Sequence, residues 1–334
     1  MSTLTTTTIP RISRAALRPQ PFHHVRRSIA ASTAAREVTI EESNEPNWTT
    51  FETRSISRQN FQDLLQNRIP DVRVRRFLSA DECQSLVKII KTHEIVSFPS
   101  AHRNNKLIRQ QDKFTSYQGS YNEDVYPPIG SVGITQFDHA NDKEGYFSKV
   151  KEARLLQERF RKEANIDVLS RVKDVLQRAT GLPVRIARED DREYFAGLIR
   201  LINKSALLHA DYGPYDGPQW EIGRIAAQVT WNILLKQVDG GESVVYDRPW
   251  EGPSDNAQFK DPPPGYGYSH SAVEGRASKT MKYDEGDLHF FNSRNFHEVK
   301  ALPSTAAESR YTMSSFVGLL PNFWPSQPGL ILWS

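Results

Sequence analysis

His209-Ala210-Asp211 sets an imidazole and a carboxylate two residues apart at the end of the apolar run from Leu201 to Leu208. In an extended segment side chains alternate between faces, so both groups emerge on one side and could clasp a metal ion. With nine histidines in the chain, one His-x-Asp pair alone is weak evidence. His297 supplies a third donor in a β-type run directly after Gly286-Asp287-Leu288-His289-Phe290-Phe291-Asn292-Ser293-Arg294. Two histidines and one carboxylate leave three coordination positions open, the donor set that suits Fe(II) for oxygen activation. Thirteen residues on, Arg310 begins Arg310-Tyr311-Thr312-Met313-Ser314-Ser315-Phe316. A guanidinium in such a run suits a two-point grip on a carboxylate.

The elements that must hold these groups can be read from punctuation and periodicity. Val72-Arg73-Val74 reads as a short strand, and Ser79-Ala80-Asp81-Glu82 as the capped start of a helix carrying Leu86, Ile89 and Ile90. Helical spacing is expected over 148–163 and 166–180, the second ended by Gly181-Leu182-Pro183. Beyond about residue 190 come short β-type runs at 196–208, 225–235, 243–246, 279–283, 287–292, 296–301 and 310–319. Asp239-Gly240-Gly241 and Asp284-Glu285-Gly286-Asp287 mark turns between them. The predicted fold is mainly β with flanking helices: a jelly roll packed by amino-terminal helices. Residues 46–334 are expected to form one domain, with helical support over 46–190 and a jelly-roll core over 191–320. The Pro- and Gly-rich segment 249–278 interrupts that core and is expected to be an inserted lid.

Composition narrows the function classes. A hydrophobic content of 38% is ample for a core. No apolar run reaches the length of a membrane span, so integral insertion is not expected. A lone cysteine, Cys83, rules out an internal disulfide framework and a Cys-based zinc site within one chain, and favours a reducing compartment. Arg11, Arg14, Arg18, Arg26, Arg27 and Arg36 precede the first acidic residue. Their six charges exceed the whole chain's net +3, so the remainder is net acidic and nucleic-acid binding is not expected.

The ordered set of His-x-Asp, Gly240-Gly241-Glu242, Gly286-Asp287-Leu288, a distal His and a trailing Arg resembles the 2-oxoglutarate/Fe(II) oxygenase superfamily over roughly residues 195–320. Glu242-Ser243 followed by Tyr246-Asp247, Asn292-Ser293-Arg294 before His297, and the stretch from Val72 to Ile90 look like its prolyl-hydroxylase-type branch and that branch's small-molecule relatives. The resemblance implies a double-stranded β-helix (cupin-like) with His209, Asp211 and His297 as both metal ligands and catalytic centre. It implies Fe(II), 2-oxoglutarate and O2, with ascorbate as an optional reductant. Arg310 would pair with the far carboxylate of 2-oxoglutarate. Thr312, on the same face, would add a hydroxyl, and Asn203 and Ser205 would face co-substrate or substrate if their strand is regular. Halogenating relatives carry Gly or Ala at the position of Asp211, so hydroxylation is favoured.

The expected activity is therefore a dioxygenase hydroxylating a small molecule, an amino acid or a secondary metabolite, with release of succinate and carbon dioxide. A protein prolyl or lysyl hydroxylase is the near alternative; a non-catalytic jelly-roll binding protein or a zinc hydrolase would have no use for Arg310. Oligomeric state is not legible. His289 is expected to be structural, His139 and His270 to lie at the surface, and Arg224, Arg248 and Arg294 to form surface ion pairs. Trp220, Trp231 and Trp250 are expected to pack, with Trp231 able to reach the cavity. The acid-poor, Arg- and Ser-rich start of the chain fits a mitochondrial transit peptide, with a cytoplasmic tail as the alternative. A reporter fused to residues 1–45 is accordingly expected to enter mitochondria; retention in the cytosol would refute that reading.

Overall fold

A computed structural model describes residues 46–93, 130–262, 266–306, 308–324 and 327–334. The expected transit peptide or tail at 1–45 lies outside the described residues. The strands are β1 (Arg54–Ser55), β2 (Asp71–Val74), β3 (Gly130–Val132), β4 (Val184–Ile186), β5 (Arg188–Glu189), β6 (Arg192–Glu193), β7 (Leu198–Leu201), β8 (Ala206–His209), β9 (Ala227–Lys236), β10 (Ser243–Pro249), β11 (Ser278–Met281), β12 (Leu288–Phe291), β13 (Asn295–Val299), β14 (Tyr311–Trp324) and β15 (Gln327–Trp333).

A large sheet runs β1-β2-β12-β9-β14-β15-β4, with β7 bonded to β14 and β3 to β7. A smaller sheet runs β11-β10-β13-β8. Leu234 and Phe291 of the large sheet pack with Val245 and Met281 of the small one, so the two form the opposed faces of a jelly roll. On β9 the period-2 alternation is complete. Val229, Trp231, Ile233 and Leu235 join the main core on the helical side, while Thr230, Asn232 and Leu234 face the interior between the sheets. Trp231, fully buried on the helical side, does not line the cavity.

The helices that cover the outer face start where their caps say. Ser79 and Glu82 form a reciprocal capping box for the helix Ala80–Lys91, which buries Cys83, Leu86, Val87, Ile89 and Ile90. Asp167 caps Val168–Thr180, and Gly181 ends it in the left-handed conformation. The helix expected over 148–163 is two, Lys143–Ala153 and Leu155–Ala164. They meet at Arg154, whose guanidinium donates to the Tyr194 carbonyl at 2.8 Å, a tertiary tether that local periodicity does not show. Among the described residues no helix is long and apolar enough to cross a membrane.

The run 196–208 is likewise two strands, because the chain leaves the large sheet at β7 and enters the small one at β8. The break at 202–205 removes the regular alternation on which the expected facing of Asn203 and Ser205 towards the site depended.

Gly286 closes the Asp284–Asp287 turn at φ +83, where a Cβ would meet the Leu78 carbonyl oxygen at 2.1 Å. The Gly286 carbonyl in turn accepts from Leu78 N at 2.9 Å, and Asp287 accepts from Arg76 N at 2.7 Å and pairs with Arg73. The turn therefore joins the site-bearing strands to the amino-terminal strand and helix. Gly286→Ala is expected to destabilise by about 2–4 kcal/mol, from left-handed strain and the backbone clash together. Equilibrium urea unfolding measures this; an unchanged midpoint would refute it.

Candidate active site

His297 of β13 stands directly opposite His209 of β8 in an antiparallel pair, with Val245 of β10 on its other side. Directly opposed residues put their side chains on one face, and the two imidazole centroids lie 4.1 Å apart. Asp211 continues past the end of β8. Its backbone N donates to the Ser293 carbonyl at 2.9 Å, and its carbonyl accepts from Gln228 Nε2 at 3.1 Å. This holds the carboxylate at the β12–β13 turn, with Oδ2 at 3.6 Å from His297 Nε2 and 3.9 Å from His209 Nε2. One donor atom from each of the three side chains falls within 4.8 Å of the others, the group with metal-binding geometry among the described residues.

The rest of each ring is already engaged. His209 Nδ1 lies 2.6 Å from the Leu207 carbonyl, and His297 Nδ1 lies 2.9 Å from the Asn295 carbonyl. A carbonyl accepts only, so each Nδ1 bears a proton, and in the neutral ring each Nε2 offers its lone pair on the side of Asp211. Burial, reinforced by His297, pushes the His209 imidazolium down to about 4, so the ring is neutral at physiological pH. Burial opposes the charge on Asp211, yet the neighbouring His297 and His209 hold its carboxyl below the usual range. The result is two lone pairs and an anion, the deprotonated donor set that a divalent cation needs.

Two cavities meet at this triad. The polar one, of about 80 Å³, is lined by Arg200, Thr230, Asn232, Ser243 and Ser314 beside His209, Asp211 and His297. Asn232 Oδ1 is buried there with no hydrogen-bond partner among the described residues. The aromatic one, of about 140 Å³, also borders His209 and Asp211 and is walled by Phe137, Tyr212, Tyr215, Trp250, Tyr266 and Tyr268.

Residues 46–322 match the family model described as carrier-protein-independent halogenase WelO5. The chain belongs to this family of Fe(II)/2-oxoglutarate-dependent oxygenases. It is 56% identical over 216 residues to the leucinostatins biosynthesis cluster protein S of Purpureocillium lilacinum, covering 64% of this chain and 89% of that protein. It is 24% identical over 275 residues to the L-gamma-glutamyl-L-propargylglycine hydroxylase of Streptantibioticus cattleyicolor, covering 80% of this chain and 91% of the relative. A solved N-substituted L-amino acid dioxygenase from Burkholderia ambifaria AMMD overlays with TM-score 0.41 at 15% identity, over 61% of this chain and 77% of that one. The chain is an oxidoreductase of the jelly-roll oxygenase class.

Within this WelO5-family chain the other expected site residues separate. Arg310 is 3% exposed, with its guanidinium 5.7 Å from the centroid of the Tyr283 ring and its aliphatic stem where a Cβ on Gly241 would fall. Burial opposes its charge, and among the described residues no ion pair offsets this. Thr312 is buried on β14, two residues further on. Neither lines the polar cavity; Arg200, paired with Thr312 across β7 and β14, does. Asn203 is not at the site. It is exposed and hydrogen-bonds Ser309 Oγ at 2.9 Å while accepting from Arg310 N at 3.4 Å, so it fastens the approach to Arg310. Arg200, Thr230, Asn232, Ser243 and Tyr266 were not expected at the site; alternation along 225–235 could have found Thr230 and Asn232, which share an inward face.

Further expectations are corrected by burial. His139 is 7% exposed rather than at the surface, because its Nδ1 faces the Thr135 carbonyl and its Nε2 faces Lys149. His270 is exposed beside Glu298, and His289 is buried 3.3 Å from Asp71. Arg248 is not a surface ion pair: it makes a buried two-point contact with Asp255, at 3.0 and 2.6 Å. That contact anchors the segment 249–278. The described part of the segment carries the helix Pro253–Phe259, and Trp250, Tyr268, Ala272 and Val273 pack against Leu208 and Phe296 of the small sheet. Asp255→Ala leaves the Arg248 charge buried and unpaired and is expected to cost about 3–5 kcal/mol, whereas the double change Arg248→Met with Asp255→Leu recovers most of it. Thermal unfolding of the three proteins checks this; equal melting temperatures for wild type and Asp255→Ala would contradict it.

Proposed function

We propose that this chain hydroxylates a small molecule of amino-acid or peptide-derived type, with His209, Asp211 and His297 holding iron and Arg310 anchoring 2-oxoglutarate. The observation that carries the reading is the convergence of two Nε2 atoms on one half-buried carboxylate, with both Nδ1 atoms already bonded to backbone carbonyls. Buried Arg310, with no ion pair among the described residues, supports the second half, since a dicarboxylate would give its guanidinium a direct partner. The substrate class draws on the relatives named a hydroxylase of an amino-acid derivative and a leucinostatins biosynthesis protein.

When bound, iron and 2-oxoglutarate supply oxidation of a substrate C–H bond by O2, with release of succinate and carbon dioxide. The chain's own residues set the conditions. Asp211 fills the position that a bound halide would need, so hydroxylation is favoured although the family model bears a halogenase description. Leu207 and Asn295 carbonyls keep the imidazoles in the ligating tautomer. Phe291, Phe316 and Val299 line the polar cavity and limit water next to the triad. Arg200 carries a second reading of the anchor, because it stands on the cavity wall where Arg310 does not.

Anaerobic addition of Fe(II) and 2-oxoglutarate is expected to give a weak visible charge-transfer band, lost in His297→Ala and in Asp211→Ala. Its absence from the wild type, or its persistence in both variants, would overturn the metal assignment. Arg310→Met should weaken 2-oxoglutarate binding by roughly 10–100-fold, the loss of one charge-assisted two-point contact, while Arg200→Met changes it less. The reverse order would transfer the anchor to Arg200.

A further inference from the structure

The aromatic cavity holds a carboxylate that no part of the proposed iron and 2-oxoglutarate chemistry uses. Asp216 ends the short helix Gly213–Asp216, half-buried in a wall built mostly of aromatic rings, with His209, Asp211 and Lys260 also lining it. Its Oδ2 accepts from the Tyr212 backbone N at 3.3 Å, a long bond, and among the described residues no cation pairs with it. Lys260, exposed and lining the same cavity, lies over the Tyr268 ring, 5.9 Å from its centroid, and offsets the Asp216 charge only in part. Burial and the neighbouring Asp211 push the Asp216 carboxyl up to about 7. An anion left so poorly compensated in a pocket is costly unless something arrives to pair with it.

The rings around it are held in place. Asn256 accepts from Trp250 Nε1 at 3.1 Å and from Tyr268 OH at 2.5 Å through Oδ1, and its Nδ2 donates to Tyr215 OH at 3.0 Å. Tyr266 OH accepts from Leu207 N at 2.8 Å. One asparagine thus ties three walls of the cavity together, and a fourth is tied to the strand bearing His209. Rings set around a carboxylate form a site for an organic cation, stabilised by cation–π attraction and by a charge-assisted hydrogen bond. A site fixed before binding loses little entropy on binding.

We propose that Asp216 and its surrounding aromatic rings bind a protonated amine of the substrate, presenting the remainder of that molecule to the centre at His209, Asp211 and His297. The inference deepens the proposed function and rests on it for the word substrate. The binding claim itself concerns residues outside the triad. Asp216 is a specificity-determining residue in this account and touches no metal. The substrate class is an amine-bearing molecule with apolar bulk beside the nitrogen, as in an amino acid with a free or alkylated amino group, or a peptide derivative ending in one.

Calorimetric titration with benzylamine and with its neutral counterpart benzyl alcohol tests this, at pH 8, in protein without metal and in protein loaded anaerobically with Fe(II) and 2-oxoglutarate. The expected result is saturable benzylamine binding at least tenfold tighter than benzyl alcohol. Asp216→Asn should erase that preference while leaving benzyl alcohol binding, the charge-transfer band and the melting temperature as in wild type. Equal affinities for the two probes in the wild type, no binding of either, or a preference surviving in Asp216→Asn would overturn the proposal. A missing charge-transfer band would instead defeat the iron assignment, and the metal-free titration would still decide the amine site.

Discussion

The face-to-face register of His209 and His297 across β8 and β13 is the constraint from which the rest of the site follows. A slip of one residue in either strand would turn one imidazole to the opposite face of the small sheet, into the apolar layer formed by Leu208 and Phe296. Register here is enforced from both sides. Leu208 and Phe296 pack under the segment 249–278, while Val299 and Ala206 pair and pack together beyond a register shift in the same ladder. The carbonyls of Leu207 and Asn295, each two residues before a histidine, then fix which nitrogen carries the proton. The convergence of the two imidazoles is thus a product of strand pairing, and its geometry is as well determined as the sheet that bears it.

The interior between the sheets is more polar than a structural core requires. Arg200, Asn232, Arg310, Asp71 and His289 all lie inside or on its walls, and several have no full set of partners among the described residues. Each such group costs free energy unless a ligand completes it. The helical side of the large sheet shows the opposite composition, a continuous apolar cluster running from Phe61 and Leu86 through Trp231 to Trp333. That contrast locates function on one face of β9 and stability on the other. The capped helices and the Gly286 turn stabilise a barrel whose interior is kept available for charge.

Much of this was legible in the sequence because the signals were local and strong. The Ser79 capping box, the Val168–Thr180 helix and the triad all follow from residue type and spacing. The failures share a cause. Asn203 was expected to face the site because 196–208 looks like one strand, but the chain changes sheets at 202–205, and nothing in hydrophobic alternation marks a change of partner. Arg200 and Tyr266 reach the cavity through long-range pairings, with β14 and with the backbone of Leu207. His139 and Arg248 were expected at the surface because polar residues usually are; their partners, Thr135 and Lys149 for one and Asp255 for the other, matter only once the fold brings them together.

The triad divides the interior between two chemistries, and this separates catalytic identity from substrate choice. His209 and His297 come from strands of the small sheet, where any displacement disturbs many hydrogen bonds at once, and Asp211 follows directly on β8. The aromatic cavity takes Trp250, Tyr266 and Tyr268 from an insertion between β10 and β11, and Tyr212, Tyr215 and Asp216 from the segment just after Asp211. Those segments are fastened by side-chain contacts such as Arg248–Asp255 and the bonds of Asn256, which can change without re-registering a sheet. A family that includes a described halogenase and is similar to a named hydroxylase is compatible with such a division. One carboxylate beside the two histidines can decide the reaction type, and the insertion can decide which molecule is presented to it.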